Sequence, residues 1–177
     1  MEYLIRRKNS GLSMVELIVA VAIFIIAITI VTSLFVSTLK GFRKNIALQN
    51  VQDNARFMMD FITKELRMST INTTNGTSYN LSITRYDPIN PPNTLTITYS
   101  FSSNNLLRTV VGGSSGPINS AEVVITGRFY ISGVGSDAYQ PKVTMVLKVE
   151  DQGTNPEERA VINVQATLSQ RNPILDL

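Results

Sequence analysis

The sequence predicts an α+β fold: a long N-terminal α-helix whose second half packs on an antiparallel β-sheet. Three observations carry this. Residues 17–39 contain no charge. The segment after them keeps a helical period but becomes amphipathic. Beyond residue 79 the apolar period falls from 3.6 to two.

The helix comes first. At about 1.5 Å rise per residue, the uncharged run spans roughly 35 Å, enough to cross a bilayer. Apolar residues lie all round it, as lipid exposure or deep burial requires. Thr29, Thr32 and Ser33 interrupt it, and each can bond back to its own helix. In the next segment Val51, Ala55, Met58, Ile62 and Leu66 recur at three- and four-residue spacing and line one face. Met59 is peripheral to it. Asp53, Arg56, Asp60, Lys64, Glu65 and Arg67 are expected largely elsewhere on the helix. No proline precedes Pro88, and Gly41 is the single glycine between Leu12 and Met68. The expectation is one nearly continuous helix over residues 12–68, with any bend at Gly41.

Strands follow. Leu95, Ile97, Tyr99 and Phe101 alternate with Thr94, Thr96, Thr98 and Ser100. Val123, Ile125, Phe129 and Ile131 share a face, as do Val143, Met145, Leu147 and Val149. Ala160, Ile162, Val164, Ala166 and Leu168 form another row. With "YNLSITRY" and "LLRTVV" this makes about six strands of one antiparallel sheet with one buried face. "SSNN", "GGSSGP" and "DQGTNPEE" carry turn chemistry. The sheet needs a cover, and the helical stripe from Val51 to Leu66 is the apolar surface available. The first half of the helix is expected to protrude.

Composition narrows the function classes. The 177 residues include no Cys, His or Trp. That removes disulfides, the usual zinc ligands and the Ser-His and Cys-His nucleophile pairs. No residue set supports an enzyme, a cofactor or a metal. Of the net charge of +3, the leader holds +2, from Glu2 against Arg6, Arg7 and Lys8. Asp137, Glu150, Asp151, Glu157 and Glu158 match no calcium motif and read as solvated loop residues. Asn72, Asn75 and Asn80 head N-x-Ser/Thr triplets that carry little information here. Arg128, Lys142, Lys148 and Arg159 could contact DNA, but an ordinary strand exterior is the preferred reading.

The N-terminus is more specific. A secretory signal has an apolar core of about 7–15 residues and a cleavage site after it; this run is longer and passes into an amphipathic helix. A plain anchor fits the length but leaves Glu16 unexplained, because a carboxylate in hydrocarbon costs up to about 2.5–3.5 kcal/mol. Glu16 could instead be solvated at headgroup level. "RRKNSGLSMVEL" resembles the class III prepilin leader of type IV pilins and type II secretion pseudopilins. It has a basic leader, a glycine, an apolar residue, a hydroxyl residue, two apolar residues, a glutamate and a long apolar helix. The resemblance makes Gly11 the last leader residue, Leu12 the first mature residue (Phe is more usual) and Glu16 the fifth. It implies cutting and N-methylation by a prepilin peptidase, other pilin or pseudopilin subunits as partners, an inner-membrane assembly platform with its motor, and membrane lipid around the helix. It also implies a cytoplasmic N-terminus, an extracytoplasmic β domain and later residence in a filament; Arg6, Arg7 and Lys8 against Lys40, Arg43 and Lys44 leave the charge count a tie. Glu16 would pair with a neighbour's N-terminal amine, since a buried carboxylate is tolerable only when paired.

The expected divisions are a leader at 1–11, a hydrophobic transmembrane and assembly helix at 12–39, its amphipathic continuation at 40–68 and a β domain at 69–177. Tyr99, Leu106 or Leu107, Arg108, Arg171 and Asn172 resemble the pattern of PilW-type minor pilins and J-type minor pseudopilins. The absence of cysteine, and Ser33 where many major pilins have proline, also favour a minor subunit over a major one. The other reading is a membrane-anchored β domain that binds a ligand or DNA and does not polymerise. Whether the machine is a pilus, a secretion system or a competence apparatus stays open.

Overall fold

The computed structural model describes residues 13–87, 93–135, 140–153, 155, 156 and 158–170. The chain divides into two compact units, residues 1–42 and residues 43–177. Helix α1 (Met14–Arg67) runs for 54 residues. It stays α-helical through Gly41, the position marked for a bend. One interior glycine costs a helix only about 1 kcal/mol, and the cooperative runs on either side outweigh that.

Among the described residues of the second unit, nine strands form two antiparallel sheets rather than the one expected. The first sheet has the order β1-β3-β4-β5-β6, with β1 Ser69–Ile71, β3 Asn80–Tyr86, β4 Thr94–Ser102, β5 Asn105–Val110 and β6 Ser115–Pro117. The second has the order β2-β7-β8-β9, with β2 Gly76–Ser78, β7 Val123–Ser132, β8 Lys142–Asp151 and β9 Val161–Ser169. The six longer strands are those that alternation predicts. The other three, β1, β2 and β6, have three residues each, too few for a period-two signal. Their pairing is tertiary: β1 goes to β3 and β2 to β7, so a segment that reads as a linker reaches both sheets. The β4–β5 hairpin turns at Ser103 (φ 50°) and Asn104 (φ 63°). Two successive positive φ values mark a two-residue turn whose twist suits a hairpin.

Both sheets and α1 share one core. The predicted stripe of Val51, Ala55, Met58, Ile62 and Leu66 is buried, joined by Ala47. It meets Leu81, Ile83, Ile97 and Leu106 of the first sheet and Phe129, Val143, Met145 and Leu147 of the second. Asn119 helps join the sheets: its Oδ1 accepts from Leu106 N at 3.0 Å and its Nδ2 donates to Val123 O at 3.3 Å. Phe101 and Phe129 rings pack 4.8 Å apart across the same seam. Gly127 lies beneath them. A Cβ there would stand 2.5 Å from the Val146 carbonyl oxygen and 2.8 Å from the Phe101 ring.

Among the described residues, one buried side chain is a carboxylate. Glu65, expected off the packed face, is 7% exposed. It lies three residues after Ile62 and seven after Met58, so helical geometry places it on the apolar face. Its carboxylate accepts from Arg108 Nη2 at 2.7 Å and from Arg108 Nε at 3.0 Å. It also accepts from the Tyr99 hydroxyl, and Arg85 Nη1 stands 3.3 Å away. Burial alone would raise the Glu65 pKa, but the hydrogen bonds from Arg108 and Tyr99 and both guanidinium charges outweigh it and hold the carboxyl below its ordinary range. Burial, then the bond to Glu65, push the Tyr99 phenol above its ordinary range.

Three outcomes follow for the full chain in detergent, measured by urea unfolding. Glu65→Gln leaves Arg108 and Arg85 without their counter-charge and should cost about 3 kcal/mol. A depressed carboxyl pKa contributes stability above the unfolded value, about 4.3 for glutamate, and loses it as pH falls through the folded value. The wild-type chain should therefore lose stability more steeply than Glu65→Gln on acidification from about pH 5. Gly127→Ala should cost about 1–3 kcal/mol, because the clash is with backbone and a packed ring.

Candidate functional site

The N-terminal part of α1 is built for an apolar surround. Leu17, Ile18, Phe24, Ile26, Leu34 and Phe35, among others, are exposed large apolar side chains. The helix is long and apolar enough to cross a membrane by length and composition. Three of its hydroxyl groups are satisfied locally. Thr29 Oγ1 donates to Ile25 O at 2.8 Å, Ser33 Oγ to Ile30 O at 3.0 Å and Thr38 Oγ1 to Leu34 O at 2.9 Å. These bonds spare the surround an unpaired polar group.

Glu16 is exposed in the first turn of α1. Leu17 N–H donates to Ser13 C=O at 3.1 Å, which makes Ser13 the residue that caps the helix. Ser13 and Glu16 thus have the Ser-x-x-Glu spacing of a capping box. The spacing is legible in the sequence, yet the reading above passed over it. A carboxylate in the first turn also faces the positive end of the helix dipole. Glu16 therefore has local electrostatic support from its own helix. Gly11 and Leu12 lie outside the described residues.

The β unit holds the other candidates, and it does not gather them. Glu150 pairs with Lys148 at 2.9 Å, and Glu158 with Arg43 at 3.6 Å. Asp151 Oδ2 accepts from Gly153 N at 2.9 Å. Asp137 and Glu157 fall outside the described residues. Among the described residues no cluster of three or more acidic side chains could hold a metal ion. Of the four cations considered for DNA, three are engaged locally. Arg128 lies 4.7 Å from the centre of the Tyr79 ring, Lys148 holds Glu150, and Arg159 Nε donates to Gly153 O at 2.6 Å. Lys142 opens β8 and is exposed. Asn75 is structural: it donates to Val134 O at 3.1 Å and accepts from Val134 N at 2.9 Å. An open groove of about 560 Å³ is lined by Tyr79, Phe101, Arg128, Tyr130, Lys148 and Asn163, among others.

Tyr99 and Arg108, two residues of the minor-subunit pattern, converge on Glu65. Leu106 is buried, whereas Leu107 is half-buried. Arg171 and Asn172 lie outside the described residues. Comparison of the chain with curated proteins and with solved structures finds no match. Residues 6–32 match the family model described as the prokaryotic N-terminal methylation motif. With that motif leading into a long apolar helix, the chain carries a class III prepilin leader, which supports the type IV pilin and pseudopilin superfamily.

Proposed function

We propose that this chain is a minor pilin or pseudopilin, a structural subunit of a type IV pilus or a related secretion or competence filament. The observation that carries the reading is the register of residues 6–32: basic leader, Gly11, Leu12 and Glu16 stand in motif order ahead of an uncharged helix. A prepilin peptidase cuts between Gly11 and Leu12 and methylates the new amine. Residues 12–39 hold the subunit in the membrane, with the N-terminus cytoplasmic and the β domain of residues 69–177 outside. Residues 40–68 continue the helix into that domain. The assembly platform and motor then draw the subunit into a filament.

In this reading Glu16 has two successive partners. Alone, the carboxylate rests at the capped helix start and faces the dipole. In a filament it meets the amine of a neighbouring Leu12 inside an apolar helix bundle. An unpaired charge there is costly and a paired one tolerable, so the pair favours one register of subunit on subunit. The minor-subunit reading is supported by Tyr99 and Arg108 meeting at Glu65. The groove beside Tyr79 and Arg128 favours a second reading, a tethered β domain that binds a ligand and never polymerises.

Two variants separate these readings in the native host. Gly11→Ala should leave a chain that still begins at Met1, against a wild-type chain that begins at methylated Leu12, by N-terminal mass. Glu16→Ala should be cut normally and be lost from sheared filaments. Normal incorporation of Glu16→Ala removes the pairing mechanism, and an uncut wild-type chain favours the tethered module.

A further inference from the structure

The four sheet edges are not treated alike. Three of them end in the three-residue strands β1, β2 and β6. Past these short strands, edge-side donors of the next strand find other partners. Ser82 N donates to Thr73 Oγ1 at 2.7 Å, Ile125 N to Asn104 O at 2.8 Å and Leu106 N to Asn119 Oδ1 at 3.0 Å. The fourth edge, β9, is nine residues long and pairs with β8 on one side.

The register of β9 says which of its groups are free. Gln170 N donates to Pro141 O, and Asp151 N to Ala160 O, each at 2.9 Å. Residues 160 and 170 therefore point their backbone groups at β8. Antiparallel geometry extends this to Ile162, Val164, Ala166 and Leu168. The N–H and C=O groups of Val161, Asn163, Gln165, Thr167 and Ser169 face the open side, and among the described residues no hydrogen bond outside the β8 ladder is seen for them. Their side chains carry no charge. Folded proteins guard such an edge with lysine, proline, a bulge or a short strand, and β9 has none of these. The core-side row is also incompletely covered: Ile162, Val164, Ala166 and Leu168 stay half-buried, whereas Val143, Met145, Leu147 and Val149 on β8 are fully buried.

We infer that the free edge of β9 docks an extended strand from a different subunit of the assembly, apolar at alternate positions on the core side. This rests on the filament reading above. Alternating donors and acceptors along a straight edge are matched by another strand, and the half-covered apolar row calls for apolar residues every second position. The strand comes from a different subunit because, among its described residues, a copy of this chain offers besides β9 only three-residue edges. Pairing of β9 with β9 would close at two copies, an outcome that a cysteine on this edge would reveal.

The test is hydrogen exchange on the full chain, in detergent and in sheared filaments. The amides of Val161, Asn163, Gln165, Thr167 and Ser169 should exchange freely in detergent and slow by about tenfold or more in filaments. Unchanged exchange in a chain that does enter filaments overturns this inference alone; absence from filaments overturns the filament reading with it. Gln165→Pro removes an outward N–H and should keep its unfolding midpoint while failing to incorporate. Val164→Pro removes a ladder N–H and should unfold. If Gln165→Pro also unfolds, Thr167→Lys serves in its place, and wild-type incorporation of whichever variant folds overturns the inference. Gln165→Cys, in a chain with no other cysteine, would give a disulfide-linked homodimer if a second copy were the occupant. Slow exchange in detergent that becomes fast on truncation after Gln170 would assign the edge to this chain's own end. Either of those results overturns the inference.

Discussion

The β unit depends on one carboxylate. Glu65 sits in the last turns of α1, on the face that packs into the core, where an unpaired charge would cost several kcal/mol. Its partners come from three adjacent strands: Arg85 on β3, Tyr99 on β4 and Arg108 on β5. Apolar burial alone is non-directional and would let the stripe from Val51 to Leu66 slide or turn against the sheets. The ionic cluster forbids that, because any shift strands a buried charge. A bidentate guanidinium fixes distance and angle together. The helix end and the first sheet are thus held in one register by groups that contribute more specificity than net stability.

α1 is one helix with two kinds of surface. From Arg43 onward it has a buried stripe, and before that its large apolar side chains are exposed. Thr29, Ser33 and Thr38 in the exposed part bond to its own carbonyls, which reduces what the segment presents as polar to lipid or to other helices. Glu16 is the exception, and its place in the first turn makes the exception tolerable. In the filament proposed above, the same carboxylate leaves the helix start to accept a neighbouring amine.

The sheet edges fit an assembly role as well. A freely soluble β domain gains from blunting all its edges, and this one blunts three. The long uncharged edge at β9 and its half-covered apolar row are a liability for a solitary domain. They are an asset where a neighbour is always at hand. The groove beside Tyr79 is a separate surface, and its Arg128 and Lys148 are already engaged with Tyr79 and Glu150.

Much of this was legible in the chain. The helix from residue 14 to 67, its buried stripe and the six longer strands follow from period alone, because a helix or strand with one packed face must repeat its apolar residues at 3.6 or two. The N-terminal methylation motif is likewise linear, a contiguous segment over residues 6–32, so it can be recognised without a fold. The short strands β1, β2 and β6 could not be, since three residues carry no period and their pairing is set by distant partners. The division into two sheets escaped for the same reason. Glu65 was half-legible: its spacing from Met58 and Ile62 put a charge on the apolar face, but nothing local announced Arg85, Tyr99 and Arg108 as its partners. Whether β9 was central or at an edge was likewise a matter of strand order, and strand order is decided by which surfaces meet when the chain closes on its core, not by any one segment's own preferences.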